Sequence, residues 1–352
     1  MNCRRLVSRY PPWLIFLVVL GAIAHYNEYL ALRIRSCFWR MPEEGGIRVM
    51  LVADPQLVGY QNEPKWLGAF TRWDSDRYMS NAFTVAYKIL QPDMVIFLGD
   101  LIDEMVFAND AEREWAINRF YEAFPQFDLN TTLIFIPGDN DIGGEVEPVQ
   151  DHLRRKFADK FPNYYSNRAT DKLLELSMVD SLSDNQLYRL SRAPGGLPVM
   201  LSHLPMIRSF IKPIFEQFSD ESYETRLVLS AHDHVSEYYI QPEHDQRFDR
   251  VAGENGIKFL FAKGNKNSVL EIQVPTISYR MGVPNMAIGV LGVRNSSDGF
   301  HIHYENWWLP SRYPQLYVYL VYIAFVFAYC VRKLYLSVSR RSDGKPVKYS
   351  IV

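Results

Sequence analysis

The sequence predicts an α/β fold, a four-layer α/β/β/α sandwich flanked by N- and C-terminal transmembrane helices. Apolar, β-branched runs alternate with segments of helical spacing, and further strand-like runs follow without helices between them. Both ends of the chain carry uncharged apolar stretches. Carboxylates, amides or histidines follow five of the apolar runs, which places polar side chains at the carboxyl ends of predicted strands.

The five runs are predicted to be buried strands, over residues 47–53, 94–99, 133–138, 197–202 and 226–231. Helical spacing predicts three helices between them, over residues 76–90, 110–124 and 151–161. The first two helices stop before Pro92 and Pro125, because proline cannot continue a helix. Strands that alternate with helices in this way predict a layered α/β domain.

After His234 the pattern changes. Four runs are predicted to be antiparallel strands that complete a second sheet, over residues 257–262, 268–275, 287–293 and 300–306. The polar segment from Gln241 to Gly256 is predicted to be an exposed loop.

The apolar run near the N-terminus, residues 13–24, follows three arginines. This layout is typical of a signal anchor and also of a cleaved signal peptide, with a small-residue triplet at 22–24 in the place of a cleavage site. The run is short for a membrane span, and extending it to residue 32 would place His25 and Glu28 in the membrane. Both alternatives stay open from the sequence.

The C-terminal run, residues 316–331, is uncharged and precedes a basic tail. A buried core helix is the alternative, but an apolar run with a basic flank is typical of a stop-transfer segment. The positive-inside rule then places both chain ends in the cytoplasm. The predicted division is an N-terminal tip and span (1–40), a lumenal domain (41–312), and a C-terminal span with a cytoplasmic tail (313–352).

Composition limits the classes of function. Of 352 residues 48% are hydrophobic, enough for a sizeable core, and the net charge of −2 argues against a nucleic-acid partner. The three cysteines, Cys3, Cys37 and Cys330, lie in or near the apolar ends, so the predicted lumenal domain has no disulfide framework. Glycosylation sequons at Asn130 and Asn295 suit a lumenal domain, although such triplets are common by chance.

The residues that follow the five runs are of the types that bind divalent cations. Two cations about 3.5–4 Å apart need a shared carboxylate with separate ligands on either side. Asp100, which follows the conformationally permissive Gly99, is predicted to be the shared ligand. The other predicted ligands are Asp54 and His234 for one metal, and Asp139, His203 and His232 for the second.

A single histidine is more often structural than a metal ligand, but three histidines in this ordered set favour metal binding. His232 and His234 are predicted to share one face of an extended segment, as residues i and i+2 do in a strand, with Asp233 pointing away.

The five segments VADPQ, FLGDLID, FIPGDND, MLSHLP and VLSAHDH resemble, in order, the motifs of the calcineurin-like metallophosphoesterase superfamily. The pattern of that family is Asp-x-His, Gly-Asp-x-x-Asp, Gly-Asn-His-Asp, a lone His and Gly-His-x-His. The resemblance covers residues 47–308. It implies the sandwich fold, a centre of two divalent metal ions, and hydrolysis of a phosphoric ester.

Further stretches, among them VADPQLVG, WLGAFTRWDSDRYMSNAF and VPTISYRMGVPNMAIGVL, are similar to a membrane-anchored branch of that family. The branch includes the phosphoesterase that remodels GPI anchors. The resemblance therefore implies a phosphodiesterase of the ER, the ER–Golgi intermediate compartment or the Golgi, with a lumenal active domain. Its substrate would be a GPI-anchor glycolipid or GPI-anchored protein, from which it removes an ethanolamine-phosphate side branch and so aids ER-to-Golgi transport.

Three departures from the family pattern affect the chemistry. Gln56 stands where the family has a histidine ligand, and its amide oxygen binds a cation more weakly. Asp139 replaces an asparagine, which adds negative charge and favours Mn²⁺ or Mg²⁺, with Zn²⁺ and iron as alternatives. Asn140 replaces the histidine that serves as general acid or stabilises the transition state, and the loss of an acid typically costs about 10²–10⁴-fold in rate. Asn140 and Asp100 are the predicted catalytic residues.

Other residues near the motifs allow two interpretations. Asp103 either contacts the metal ligands or begins a helix, and Asp141 is predicted to orient its neighbours. Arg72, Asp76 and Arg77 either line the substrate cleft or lie on the edge of an amphipathic helix.

Three residues later in the chain are further candidates. Arg280, near Asn285, is a candidate contact for phosphate or glycan. His301 and His303 alternate like a metal pair, but no carboxylate motif is near them, so they are predicted to be surface or interface residues.

Two functions other than hydrolysis remain from the sequence. The first is a catalytically weak metal-binding membrane protein that escorts or senses GPI-anchored cargo, which Asn140 favours. The second is a role in manganese homeostasis through the same site.

Overall fold

The computed structural model describes residues 11–43, 45–125, 128–166, 172–179, 182, 187–191, 193–206, 225–241, 249–251, 255–264 and 268–342. The chain divides into two compact units, Arg35–Leu309 and Met1–Ile34 with Pro310–Val352. The three N-terminal arginines, Cys3 and the tail after residue 342 lie outside the described residues, so what was predicted of them stays a prediction.

Thirteen strands are found in the described part of the larger unit. They are β1 (Ile47–Val52), β2 (Met94–Leu98), β3 (Thr132–Ile136), β4 (Leu174–Val179), β5 (Leu187–Arg189), β6 (Leu197–Leu201), β7 (Leu227–Ser230), β8 (Glu237–Gln241), β9 (Asp249–Val251), β10 (Gly256–Ala262), β11 (Val269–Gln273), β12 (Ala287–Ser296) and β13 (Gly299–Trp308). The first sheet has the order β10-β13-β12-β1-β2-β3, and the second has the order β5-β4-β6-β7-β11-β8-β9.

Seven α-helices are found in the described residues of the two units. They are α1 (Pro12–His25), α2 (Ala31–Ser36), α3 (Gly68–Leu90), α4 (Asp110–Ala123), α5 (Asp139–Ile142), α6 (Asp151–Lys160) and α7 (Arg312–Ser342). A π-helical segment, Tyr26–Leu30, connects α1 to α2.

All five runs predicted to be buried strands are confirmed, as β1, β2, β3, β6 and β7. In the first sheet β1, β2 and β3 are parallel, and in the second β6 and β7 are parallel. The two sheets share one hydrophobic core, to which β1 contributes Val49 and Leu51 and β6 contributes Val199. Parallel neighbours end at the same edge of a sheet, so the polar residues that follow these strands are brought together.

All four late runs are strands, but the prediction that they complete a second sheet is wrong for three of them and holds only for β11. β12 pairs antiparallel with β1, and β10 and β13 extend the same first sheet. β11 instead lies in the second sheet, parallel to β7. The first seven residues of β12 are all buried, which suits a strand covered on both faces and placed beside the central β1.

The segment Gln241–Gly256 is not wholly an exposed loop. Gln241 ends β8, and Asp249–Val251 forms β9, which pairs with β8 through Tyr238 and Val251. Residues 242–248 and 252–254 of the predicted loop lie outside the described residues.

The three predicted helices are confirmed as α3, α4 and α6, and aromatic rings pack them against the first sheet. The ring of Phe97 in β2 lies 5.3 Å from that of Phe120 and 5.4 Å from that of Phe124. Phe161, at the end of α6, lies 5.1 Å from Phe120. Between residues 172 and 309 the described ranges contain no α-helix, so the helical layer over the second sheet stays a prediction.

Helix α3 begins at Gly68 rather than at Asp76. The sequence between them contains Asp74 and Ser75, which are poor helix formers, but both are buried. Asp74 accepts a hydrogen bond of 2.9 Å from the hydroxyl of Tyr279, and this tertiary contact offsets the weak local preference. The helix α4 begins where it was predicted, with Asn109 and Glu112 forming a capping box.

The smaller unit contains α1, α7 and the first four residues of α2, up to Ile34. Two of its helical stretches, Pro12–Ser36 and Arg312–Ser339, are long and apolar enough to cross a membrane. Glu28 accepts hydrogen bonds from Arg312 at 3.1 Å and from Tyr319 at 2.7 Å. An apolar helix can therefore contain this carboxylate, because its charge is paired.

Candidate metal centre

The residues predicted to bind metal follow the ends of the five strands and converge on one place. Asp54 follows β1, Asp100 follows β2, and Asp139 follows β3 in the first sheet. From the second sheet, His203 follows β6, and both His232 and His234 follow β7. The centre therefore lies where the carboxyl ends of the parallel strands of both sheets meet.

The first group of potential ligand atoms surrounds Asp139. The Nε2 atom of His203 lies 3.0 Å from Oδ1 of Asp139, and Nδ1 of His232 lies 3.1 Å from the same oxygen. These three residues each offer one ligand atom within 4.8 Å of the others. Their geometry suits the metal to which the sequence assigned them.

The second group consists of Asp54, Asp100 and His203, whose ligand atoms also lie within 4.8 Å of one another. Nε2 of His203 lies 3.4 Å from Oδ1 of Asp100, so His203 belongs to both groups. His234 is close to this second group, with its Nε2 3.7 Å from Oδ1 of Asp54. Asp100 belongs to the second group alone, and His203 is the residue common to both, so the role of Asp100 as the shared ligand stays a prediction.

Two amides hydrogen-bond to the same oxygen of Asp100. Nε2 of Gln56 donates to Oδ2 at 2.8 Å, and Nδ2 of Asn140 donates to it at 2.7 Å. Nε2 of Gln56 also lies 3.2 Å from Nε2 of His234. Rotating the Gln56 amide by half a turn exchanges its nitrogen and oxygen with little change in shape, so the side chain can present an oxygen to a cation at this position.

The backbone of the centre is left-handed at most of these residues. Six non-glycine residues in the described part of the chain have positive φ, and five of them are Asp54 (45°), Gln56 (38°), Asp100 (52°), His232 (69°) and His234 (64°). Such a conformation costs about 1–3 kcal/mol per residue and persists only where the surrounding structure enforces it. The concentration of strain here is typical of a functional site.

This backbone corrects the explanation offered for His232 and His234. Both histidines do face the centre, but they lie in a bend with φ of 69° and 64°, and not in an extended segment. The spacing i and i+2 therefore brings them together for a different reason. The two rings contact different carboxylates, Asp139 and Asp54.

The charges of the centre require a counter-charge. Asp54 is fully buried, and burial raises its pKa well above the ordinary value. Burial acts to lower the pKa of His203, but Asp100 and Asp139 outweigh it and raise that pKa. In the described residues no lysine or arginine pairs with Asp54, Asp100 or Asp139. Three carboxylates and three imidazoles, of which Asp54, Asp100 and His203 are buried, fit divalent cations when they have no such partners.

One family model matches residues 47–236, and its description is calcineurin-like phosphoesterase. The match covers more than half of the chain and includes every predicted ligand. The chain belongs to the calcineurin-like phosphoesterase family. Membership of this family implies divalent metal ions at the centre.

Curated relatives agree with this family. The chain is 28% identical to cell division control protein 1 of Saccharomyces cerevisiae, over 81% of this chain and 64% of that protein. It is 25% identical to the metallophosphoesterase 1 homolog of Drosophila melanogaster, over 55% of this chain and 60% of the relative. It is 26% identical to the metallophosphoesterase 1 homolog of Caenorhabditis elegans, over 84% of each chain. The match thus spans less than two thirds of the first two relatives.

A solved metallophosphoesterase from Sphaerobacter thermophilus is 12% identical, with a TM-score of 0.37 over 74% of this chain and 88% of that one. At that score the likeness adds nothing to the family match.

The residues of this centre have different chemical roles. Bound divalent cations supply Lewis acidity to the phosphoryl group and promote ionisation of water. Asp54, Asp100, Asp139, His203, His232 and His234 would hold these ions, with Gln56 as a weaker ligand. Asn140 keeps its amide beside Asp100, from which it can donate a hydrogen bond but not a proton.

Two further acidic residues follow the ligands Asp100 and Asp139 closely in the chain. Asp141 accepts hydrogen bonds from the backbone N–H groups of Leu101, Ile102 and Gly138, which orients two of the metal-binding turns as predicted. Burial raises the pKa of Asp141 to about 7. Asp103 does not begin a helix, because its segment is a turn and α4 begins only at Asp110. Burial, followed by the charge of Glu104, raises the pKa of Asp103 to about 6.

The candidate cleft residues of α3 hold the neighbouring loop. Asp76 forms a bidentate ion pair with Arg119, which also donates to the carbonyl of Val58 at 2.8 Å. Arg72 donates to the carbonyl of Gly59 at 3.2 Å. Arg77 pairs with Asp74 within the helix at 3.1 Å. These contacts favour the structural interpretation of the three residues.

The remaining candidates lie apart from the ligand groups. Arg280 forms an ion pair with Glu63. His301 and His303 contact Asp298 and Glu305 on their own hairpin, at 3.0 and 3.1 Å, and belong to neither group of potential metal ligands.

Sequence reasoning missed one contact that shapes the centre. The hydroxyl of Thr276 donates to the carbonyl of Asp54 at 2.7 Å, and the segment containing Thr276 also carries Tyr279, which reaches α3. The isolated bridge between Ala53 and Thr276 brings these distant segments together. No local pattern near Thr276 indicates this contact.

Proposed function

We propose that this chain is a two-metal phosphodiesterase that removes an ethanolamine-phosphate side branch from GPI anchors. The observation that carries the reaction class is the convergence of three carboxylates and three histidines from five strand ends. In the reaction, the oxygen of water attaches to phosphorus and one ester P–O bond breaks. The leaving alcohol takes its proton from solvent, since Asn140 has none to give.

The choice of substrate is supported by the resemblance of several segments to the membrane-anchored branch of the family. Manganese is the favoured metal, because Asp139 adds a carboxylate where the family pattern has an amide. Elemental analysis of the purified full chain tests the metal. Mass analysis of glycans on GPI-anchored proteins, with and without this chain, tests the substrate: loss of the chain should leave an extra ethanolamine phosphate on the anchors.

The proposed hydrolysis of a phosphodiester can be tested directly. Purified full-length protein with Mn²⁺ should hydrolyse bis(p-nitrophenyl) phosphate. Asp100→Ala should lower kcat by at least about 10³-fold, because it removes a predicted metal ligand that also accepts hydrogen bonds from Gln56 and Asn140. The matched control is Asp298→Ala, an exposed carboxylate on the β12–β13 hairpin, which should keep wild-type turnover. Equal turnover by wild type and Asp100→Ala would refute the proposed reaction.

We propose further that the two apolar helices span the membrane of the ER, the intermediate compartment or the Golgi, with the metal centre in the lumen. Asn130 and Asn295 are both exposed and lie in sequons. Expressed with microsomes, the chain should carry endoglycosidase-sensitive glycans that Asn130→Gln with Asn295→Gln removes. Full digestion of residues 41–312 by protease added outside intact microsomes would contradict the lumenal placement.

A second candidate function is a catalytically weak metal-binding protein in cargo transport or manganese homeostasis. Its specific support is Asn140, whose amide is bonded to Asp100 and supplies no proton. Asn140→His separates the candidates, since restoring an acid should raise kcat by up to about 10²-fold if proton donation limits an active enzyme. A weak wild type whose Asp100→Ala variant still restores cargo transport in cells would favour the second candidate.

A further inference from the structure

A groove of about 720 Å³ leads away from the metal centre within the larger unit. His234, a predicted metal ligand, lines one part of it, and Arg35 and Trp308 line another. Arg35 and Leu309 are the first and last residues of this unit, and Trp308 immediately precedes Leu309. The groove therefore joins the metal centre to the two points at which the domain continues into the apolar helices.

The register of the strands explains why the chain leaves the domain at the edge of the sheet that carries the metal centre. Leu51 of β1 pairs antiparallel with Gly289, so β12 begins, at Ala287, beyond the carboxyl end of β1. Ala287 pairs in turn with Trp308, the last residue of β13. The carboxyl end of β13 thus lies at the same edge as Asp54.

The residues that enter the domain lie at this edge as well. The indole of Trp39 donates to the carbonyl of Trp308 at 3.0 Å and stacks on Trp307 with ring centroids 4.7 Å apart. Nε of Arg35 donates to the same carbonyl at 3.3 Å. Both chain connections of the domain are consequently on the side that carries the metal centre.

The chain connections from this edge to the two apolar stretches are short. Arg35 falls within the apolar stretch Pro12–Ser36, and only two residues separate Leu309 from Arg312, where the second stretch begins. A connection of this length reaches roughly 10 Å when fully extended. Arg35 and Leu309 are therefore tied by the chain itself to the two apolar stretches.

The side chains of the groove suit a polyhydroxylated head group. The indole Nε1 of Trp308 donates to Oδ1 of Asn255 at 3.1 Å, which combines an aromatic face with an amide. Arg250 pairs with Glu237 at 2.6 Å, and Asn285 is exposed. Amides, a charged pair and an aromatic face give both hydrogen bonds and an apolar platform, as ligand sites commonly do.

We propose that this groove binds the head group of a membrane-anchored phosphodiester, with the phosphate at His234 and the lipid-bearing end at Arg35 and Trp308. The proposal rests on the proposed function and names the substrate class and its subsite. Residues Glu237, Arg250, Asn255, Asn285 and Trp308 are then specificity-determining. Substrates held in the bilayer are preferred over the same head group free in solution, since the chain connects Arg35 and Trp308 to the apolar stretches within a few residues.

The test uses the full-length protein in phosphatidylcholine vesicles. One probe is an ethanolamine-phosphate mannoside on a dialkylglycerol anchor, and the other is the same mannoside without lipid. The measured quantity is the ratio of kcat/KM for the anchored probe to that for the free probe. Arg250→Glu and Asn285→Trp, both at exposed positions, should lower this ratio at least 10-fold relative to wild type.

The matched control is Lys258→Glu. Lys258 is as exposed as Arg250 (65% against 67% of the side chain), lies on a strand and also forms one ion pair, but it is outside the groove. Its variant should keep the wild-type ratio. An unchanged ratio in both groove variants, an equal fall in Lys258→Glu, or a wild type that does not prefer the anchored probe would each overturn the proposal. Absence of turnover on both probes and on bis(p-nitrophenyl) phosphate would instead overturn the proposed function.

Discussion

At the scale of single residues, the metal centre depends on backbone positions that most side chains avoid. Gly99 has φ of +88°, and a Cβ atom there would lie 2.5 Å from Nδ1 of His203 and 2.9 Å from the amide nitrogen of Gly138. The glycine thus allows both the turn that presents Asp100 and the close approach of His203. Gly264 has the same φ of +88° with no atom within 4 Å of such a Cβ.

Substituting each of these two glycines distinguishes the cost of left-handed backbone, which both share, from the cost of steric crowding, which only Gly99 has. Gly264→Ala should destabilise the fold by about 1 kcal/mol through the left-handed conformation alone. Gly99→Ala should cost about 2–4 kcal/mol and also weaken metal binding, because His203 must move. Chemical unfolding and metal titration measure the two effects. Equal losses of stability and unchanged metal affinity in both variants would show that the contact with His203 is unimportant.

Gln56 provides a second prediction at this scale. Nε2 of its side chain lies 3.2 Å from Nε2 of His234 and 2.8 Å from Oδ2 of Asp100. A stronger ligand at position 56 would therefore lie close to the second group of ligand atoms. Gln56→His should tighten Mn²⁺ binding by about 10-fold, since imidazole is the stronger ligand. Calorimetric titration measures the affinity. Unchanged or weaker binding in the variant would contradict the prediction that a side chain at position 56 binds the metal more tightly as imidazole.

At the scale of elements, α3 is the helix that holds the loops on either side of the centre. Asp76 binds Arg119, which reaches the carbonyl of Val58 in the loop after Gln56. Asp74 binds Tyr279 in the segment whose Thr276 supports Asp54. The two carboxylates are only two residues apart, about half a turn of the helix, and so point to different sides of it. They hold two segments that are more than 200 residues apart in the chain.

Arg119→Ala tests this arrangement. Arg119 and Asp76 are 10% and 20% exposed, so the variant leaves a half-buried carboxylate and the Val58 carbonyl without their partner. The expected loss of unfolding free energy is about 2–4 kcal/mol, with weaker Mn²⁺ binding because the loop after Gln56 loosens. The control, Lys160→Ala, removes an exposed ion pair with Glu114 and should leave the unfolding midpoint near that of wild type. Similar midpoints for both variants would contradict a role for Arg119 in holding the loop.

At the scale of the whole molecule, the buried carboxylates couple folding to metal binding. Asp54 and Asp100 are 0% and 1% exposed, and the described residues offer them no cationic partner other than histidine. Free Mn²⁺ at about 100 times its Kd should therefore stabilise the native state by about 2.7 kcal/mol. Thermal unfolding in detergent with Mn²⁺ and with a chelator measures the shift. Asp298→Ala should keep the shift and Asp100→Ala should lose most of it, and a shift of equal size in both would place metal binding elsewhere.

Much of this fold was predictable because its signals are local. The strands β1, β2, β3, β6 and β7 are continuous apolar runs, and their burial on both faces removes the ambiguity of alternating patterns. The start of α4 was predictable from its capping residues. The start of α3 was not predictable, since the helical conformation at Asp74 is stabilised by a hydrogen bond from Tyr279, which is distant in the sequence.

For the candidate site, residue type and order along the chain were sufficient to select Asp54, Asp100, Asp139, His203, His232 and His234, because metal ligands come from few residue types and parallel strands end at one edge. Only the tertiary structure decided that β12 and β13 join the first sheet, which puts Trp308 beside the metal centre. It also decided that His232 and His234 turn inward through left-handed backbone. The sheet that a strand joins and the strain of a backbone segment both depend on contacts between segments far apart in the chain. A local pattern of residues does not determine such contacts.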